Sequence, residues 1–279
     1  MRIAIALLLS GIVAANVVAM GLEGTLTLGV VQEAAEGRQV HFRNVWLKYR
    51  IREFMSKEYF QDSARRRSSG APPRGTTAYA DRRFTITAEY VRKGDLARTM
   101  FEGATVRDGQ LDTNPRPHVH VFNGKRTILS DGEGRYAITS RPEAVGGYAT
   151  PWDLCGENLL RDTLDYHQAK KISVTEVKFD AGSIPGTKHL DLLFATKWRN
   201  KVWLLPELDH SVKQFNVFDA TGSLVSRYHD IVYETAGGVP YPTRAAFSTY
   251  KRQGNNTILH LESRLEVTSI TTRRRDIPN

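Results

Sequence analysis

Cysteine is almost missing from this chain: Cys155 is the only one in 279 residues. An internal disulfide and a thiolate metal cage are therefore both excluded, and stability must come from a packed core. There is no Gly-x-Ser-x-Gly elbow, no glycine-rich strand-to-helix phosphate loop and no dinucleotide fingerprint. We accordingly assign no catalytic residue and expect no cofactor. Acidic residues are in deficit, with Asp+Glu 30 against Lys+Arg 39 and a formal charge of +9. Past the first ~20 positions no run is apolar and long enough to span a bilayer. With 41% hydrophobic and 25% charged residues, disorder, collagen and coiled coil are excluded as descriptions of the whole chain.

What is present begins with a leader. Met1-Arg2 precedes the apolar run Ile3 to Val13, and small residues follow at Val17-Val18-Ala19 and Ala19-Met20-Gly21. A short basic region, an apolar stretch and small residues at the boundary predict a secretory signal peptide over 1–21, cleaved on export; the alternative is an uncleaved N-terminal anchor. The leader ends without a cysteine, so it is not of the lipoprotein type. The remainder, 22–279, is expected to be one domain.

Leu26 to Glu36 is expected to form a short helix, after which the dominant period becomes two. Val45, Leu47, Tyr49 and Ile51 alternate with Trp46, Lys48, Arg50 and Arg52, the pattern of a strand with one buried face. Further runs of this kind, such as Phe84 to Tyr90, Leu190 to Phe194 and Phe215 to Val217, are separated by Lys93-Gly94-Asp95, Asn123-Gly124 and Ala220-Thr221-Gly222. Such turn chemistry joins neighbouring strands, so the chain reads as an antiparallel meander. Two stretches interrupt it. Gln61–Arg83, with Arg65-Arg66-Arg67, Ser68-Ser69-Gly70 and Pro72-Pro73, is expected to be an inserted basic loop. Pro151 to Thr163 carries Trp152, Leu154, Cys155, Leu159 and Leu160 at helical spacing, as suits a helix lying across a sheet.

Candidate chemistry is sparse. His118-Val119-His120 puts two imidazoles on one face of a strand, a spacing that zinc and copper sites use, but no third ligand completes it. No metal is expected there; two strand-face histidines are the plainer reading. The arginine tracts Arg65–Arg67, Arg82-Arg83 and Arg273–Arg275 suit either plain solvation or attraction to an anionic membrane surface, worth about 1 kcal/mol per basic residue. Behind an export signal, nucleic acid is not the expected partner.

One region resembles a known family. Val202-Trp203-Leu204-Leu205-Pro206-Glu207, then Gln214 to Ser226 with Asp219-Ala220-Thr221-Gly222, then Val239-Pro240-Tyr241-Pro242-Thr243-Arg244, is similar to the late strands of the LolA/LolB-like envelope proteins. The resemblance implies a mainly β (α+β) fold: an open, curved antiparallel β half-barrel with an N-terminal helix and a lid helix near 151–165. It further implies a non-catalytic periplasmic carrier, of the kind that sorts outer-membrane lipoproteins, for an acylated or lipid-like ligand. Envelope lipoproteins or membrane proteins would be its partners. An envelope sensor or scaffold built on the same fold is the alternative. With the cavity placed by strand parity, the expected apolar lining is Val45, Leu47, Tyr49, Ile51, Trp203, Leu205, Phe215, Val217, Trp152 and Leu159; a one-residue slip would invert any strand's share.

Overall fold

The computed structural model describes residues 26–67, 80–103, 105–107, 110–112, 117–130, 134, 136–139, 150–254 and 256–278. The leader and most of the serine- and proline-containing part of the basic insertion lie outside these residues. Among the described residues no helix is long and apolar enough to cross a membrane.

The chain is mainly β. Helix α1 (Leu28–His41) leads into β1 (Asn44–Met55), α2 (Lys57–Arg67), β2 (Arg82–Lys93) and β3 (Leu96–Gly103). The short strands β4 (Thr105–Arg107), β5 (Gln110–Asp112), β6 (His118–Asn123), β7 (Thr127–Ser130) and β8 (Tyr136–Thr139) follow. Two helices, α3 (Pro151–Leu154) and α4 (Glu157–Gln168), precede the second run: β9 (Val174–Ala181), β10 (Lys188–Phe194), β11 (Arg199–Leu205), β12 (Ser211–Phe218), β13 (Leu224–Ala236), β14 (Val239–Gln253) and β15 (Asn256–Thr271).

Thirteen of these strands form one open, curved antiparallel sheet in the order β8-β7-β6-β3-β2-β1-β15-β14-β13-β12-β11-β10-β9, while β4 and β5 make a separate ribbon. The first and last strands of the chain thus sit side by side in the middle, with Ile51 opposite Leu265 and Glu53 opposite Ser263. Two meanders, one from each end of the sequence, fan out from that seam. Each meander is built from local hairpins, whereas the seam depends on contacts between the two ends of the chain.

The period-two reading of β1 holds: Val45, Leu47, Tyr49, Ile51, Glu53 and Met55 are buried and the residues that alternate with them are not. Val45, Leu47, Tyr49 and Ile51 belong to a single core cluster with Ile86, Phe101, Leu190, Val202, Leu204 and Phe215 from the sheet and Val31, Leu154, Leu160 and Leu164 from the helices. The helices therefore cover one face of the sheet, and the other face carries most of the charge.

Three local expectations need correction. The N-terminal helix runs to His41 rather than ending near Glu36, because Val31, Ala34, Ala35 and Arg38 continue one buried stripe. Its start is fixed by Thr27, whose hydroxyl accepts from the Val30 amide at 3.4 Å, satisfying one of the donors that a helix leaves open. The stretch expected as loop from Gln61 onward is helical to Arg67; Ser56 Oγ accepts from the Tyr59 amide at 3.2 Å, and Lys251 Nζ lies 2.5 Å from Asp62 Oδ2. Finally, the lid is two helices rather than one. Gly156 between α3 and α4 has φ +81, a left-handed conformation that no α-helix contains.

In the motif region, Pro206 ends β11 by opening a 3-10 turn, Pro206–Leu208. Gly222 turns the β12–β13 hairpin with φ +81. Pro240 and Pro242 fall inside β14, opposite Thr235 and Tyr233 of β13, but the β14–β15 register begins only at Arg244. The missing N–H groups thus fall where the strand is paired on one side.

Candidate ligand-binding site

The candidate site is the apolar face of the sheet together with the helical cover that lies on it. Thr150 and Asp153 form a reciprocal capping box at the start of α3, with Pro151 in the first turn, which fixes the entry to the cover. Trp152 then projects against Phe42 at a ring separation of 5.2 Å and Tyr90 at 6.5 Å. Leu154, Cys155, Leu160 and Leu164 are buried against the sheet, and Leu159 packs at the margin of the core.

A polar cluster lies inside this apolar layer. Arg38 of α1 donates from Nε to Glu157 Oε2 at 3.1 Å and from Nη1 to the Asp209 carbonyl, with Asp209 Oδ2 3.4 Å away. Tyr233 Oη of β13 stands 2.9 Å from both Glu157 Oε1 and the Val212 carbonyl oxygen, so its one proton is shared between two acceptors. The ties join α1, α4, β13 and the β11–β12 connection. Burial works against the charge of Arg38, but Glu157, Tyr233 and Asp209 outweigh it and raise the guanidinium pKa. Burial, and then the charges of Cys155 and Glu157, push the Tyr233 hydroxyl well up; burial and Glu157 do the same to the Cys155 thiol. The Cys155 thiol and the Tyr233 phenol therefore stay neutral near pH 7 beside the Arg38–Glu157 pair.

Of the expected lining, Val45, Leu47, Tyr49, Ile51 and Phe215 are core residues on the helix-covered face, with Val217, Trp152 and Leu159 packed against them. Trp203 and Leu205 are not in that group. In β11 it is Val202 and Leu204 that enter the core; Trp203 stacks on His189 of the neighbouring strand at 4.9 Å and donates from Nε1 to Ser183 Oγ at 3.1 Å. The parity expected for β11 is therefore shifted by one residue, since Val202-Trp203-Leu204-Leu205 is apolar on both sides and alternation cannot orient it.

A cavity of about 80 Å³ lies between α1 and the α3–α4 pair, bordered by Arg38, Phe42, Tyr90, Trp152, Glu157 and Arg161. Pockets that enclose a sizeable ligand run to about 300–1,000 Å³, so this cavity does not hold one by itself. His118 and His120 lie elsewhere, on β6, where His120 is buried edge-on to Phe101 at 5.2 Å. Among the described residues no group of three or more His, Cys, Asp or Glu is arranged to hold a metal.

What sequence reasoning missed is the ionic cluster: Arg38 and Glu157 belong to different helices, and neither sits in a motif. A buried arginine on the apolar stripe of α1, in register with Val31, Ala34 and Ala35, is the one signal that could have found it.

No protein-family model and no curated protein matches the chain. Among solved structures it is similar to a LolA superfamily protein from Nitrosomonas europaea, at 13% identity and a TM-score of 0.45 over 91% of this chain and 96% of that one. A putative outer membrane lipoprotein-sorting protein domain from Vibrio parahaemolyticus is similar at 12% identity and a TM-score of 0.43, over 86% and 91% of the two chains. A DUF1329 family protein from Desulfovibrio piger is similar at 7% identity and a TM-score of 0.44, over 87% and 92%.

Proposed function

We propose that this protein is a non-catalytic binding or carrier protein of the periplasm that takes an acylated or lipid-like ligand between the apolar face of its sheet and the α3–α4 cover. The observation that carries the reading is the construction of the cover. Two short helices, broken at Gly156, lie over a continuous apolar face that includes Leu47, Ile51, Val202, Leu204 and Phe215. They are tied down by a few polar contacts centred on Arg38 and Glu157. Displacing the cover exposes a surface that rewards an acyl chain at about 25 cal/mol per Å² without demanding hydrogen bonds. The closed state keeps that surface from water when no ligand is present. The sequence resemblance in Lys201–Thr243 and the predicted signal peptide support the same reading, with lipoproteins, membrane proteins or an anionic membrane as partners.

Native mass spectrometry of the mature protein taken from its own envelope tests this. A co-purifying amphiphile released by organic solvent is the expected result; protein that is empty and takes up no fluorescent acyl probe overturns it.

One observation supports the sensor or scaffold reading instead. Val121, Ile128 and Ile138 form a row across β6, β7 and β8 in which all three are exposed. An apolar row that ends on β8, the edge strand of the sheet among the described residues, suits a protein partner. Retention of such a partner by otherwise empty protein would favour that reading.

A further inference from the structure

The opposite face of the sheet, away from the helices, carries a cleft of about 540 Å³, within the size range of small-molecule sites. Its origin is a missing side chain. Along β14 the residues that point to this face include Arg244 and Ala246, and Ala246 is flanked across the ladders by His229 on β13 and Arg264 on β15. A methyl group among long side chains leaves a pit, whose walls are the aliphatic stems of its neighbours.

Four cations from four strands converge on the pit: Arg52 of β1, Lys213 of β12, Arg244 of β14 and Arg264 of β15. Two carboxylates also border it, Asp230 and Glu266, leaving an excess of positive charge. Most of these groups are already committed. Arg264 makes a two-point pair with Glu262 at 2.7 and 3.0 Å and reaches Asp230 at 3.5 Å. Arg52 lies 3.6 Å from Glu266. Lys213 Nζ donates to the Ile231 carbonyl at 3.0 Å, which fixes the ammonium at the β13 bulge and leaves two of its protons free. Arg244 is exposed, and no carboxylate or other acceptor among the described residues engages it.

We propose that this cleft is an anion site for a phosphate group, with Arg244 as its principal donor and Lys213 and Arg52 completing the cradle. The choice of phosphate over carboxylate follows from stoichiometry. One guanidinium saturates one carboxylate, as Arg264 already does with Glu262, whereas several cations around a single pit match an anion with three free oxygens. The floor is the Ala246 methyl group, since Ala245 and Leu265 turn their side chains to the helix-covered core with Ile51, and the aliphatic stems around it fit the carbon atoms next to a phosphoester. A lipid headgroup and a free phosphate share this chemistry. The site is independent of the helix-covered face, so it stands or falls separately from the carrier reading.

The test is calorimetric titration of the mature protein with inorganic phosphate, beside flotation with vesicles of phosphatidylcholine alone or mixed with phosphatidic acid. Each is repeated with Arg244→Ala, with Ala246→Leu to fill the pit, and with Arg274→Ala as a charge-matched control at an exposed position that does not line the cleft. Arg244→Ala removes an exposed, unpaired side chain, so its thermal unfolding should match the parent. Affinity should fall about tenfold or more in Arg244→Ala while Arg274→Ala stays within about twofold. Phosphate binding with that pattern identifies a free phosphate as sufficient; binding only to the acidic vesicles with that pattern identifies the headgroup. Absence of both, or equal losses in Arg244→Ala and Arg274→Ala, overturns the site in favour of diffuse surface charge.

Discussion

Arg38 and Glu157, 119 residues apart in the chain, meet with Nε 3.1 Å from Oε2, their side chains 2% and 6% exposed. A pair this deep gains little net stability from Coulomb attraction, because both charges have left water, but it is expensive to break on one side only. Arg38→Met should therefore cost about 3–5 kcal/mol. The double variant Arg38→Met/Glu157→Leu, which removes both charges, should cost less than the single one. Urea unfolding of the two variants decides the matter: a single variant within about 1 kcal/mol of the parent would mean that water reaches Glu157.

Cys155 reports directly on the cover. Its thiol is fully buried, and burial together with Glu157 holds its pKa up, whereas Arg38 pulls it down. Native protein should react slowly with a thiol reagent, at a rate set by opening of α3–α4. Arg38→Met removes the one charge that favours the thiolate, so on electrostatics alone the reaction would slow. We expect it to accelerate, because the tie is lost. Slowing would show that the cover does not depend on this pair.

Glu53 gives the fold a pH dependence. Burial raises its carboxyl to about pKa 7, against a smaller lowering by the hydrogen bond from Ser263, which donates to Oε1 at 3.1 Å while Oε2 has no partner. A folded-state value above the unfolded one means that the folded chain binds the extra proton between the two. Stability contributed by the protonated form is present at pH 4.5 and lost as the pH rises through about 7, at a total of about 3 kcal/mol. Glu53→Gln should flatten the dependence of the urea midpoint over that window. Persistence of the slope in the variant would assign it to other groups.

Gly156 is the break in the cover. Its φ of +81 is already unfavourable for any side chain, and a Cβ built there would lie 3.1 Å from Tyr228 and 3.2 Å from Phe215. Gly156→Ala should lower stability by about 2 kcal/mol or more, from left-handed strain and crowding together. Thermal unfolding measures it. A neutral result would require α3 and α4 to join as one helix, which far-ultraviolet circular dichroism would register as added helicity.

The β-rich meander and the placement of the cover were legible because period-two alternation and hairpin glycines are local signals. Val45, Leu47, Tyr49 and Ile51 alternate with charged or polar-tipped neighbours, so their inward parity could be read. The β1–β15 seam could not, since no local pattern says that Ile51 meets Leu265. Nor could α2: Arg65-Arg66-Arg67 beside Ser68-Ser69-Gly70 reads as loop, and the anchors that make it helical, Asp62 to Lys251 and Ser56 to Tyr59, are respectively distant and inconspicuous. The helix-covered face of β11 was unreadable for a different reason, as four consecutive apolar residues carry no alternation.

That ambiguity in β11 supplies the sharpest test of where a ligand lies. Trp152 packs against Phe42 and Tyr90 under the cover, whereas Trp203 lies outside the core against His189. Of the other two tryptophans, Trp46 shares β1 with Leu47 but has the opposite parity, and Trp198 is exposed in the turn before β11. An acyl chain carrying a short-range quencher and bound between sheet and helices should therefore darken Trp152 alone. Quenching should persist in Trp203→Phe and disappear in Trp152→Phe, while both variants keep the parent's capacity for an unlabelled chain. If Trp203→Phe abolishes the quenching instead, the chain binds on the charged face, and the helices cover a core rather than a site.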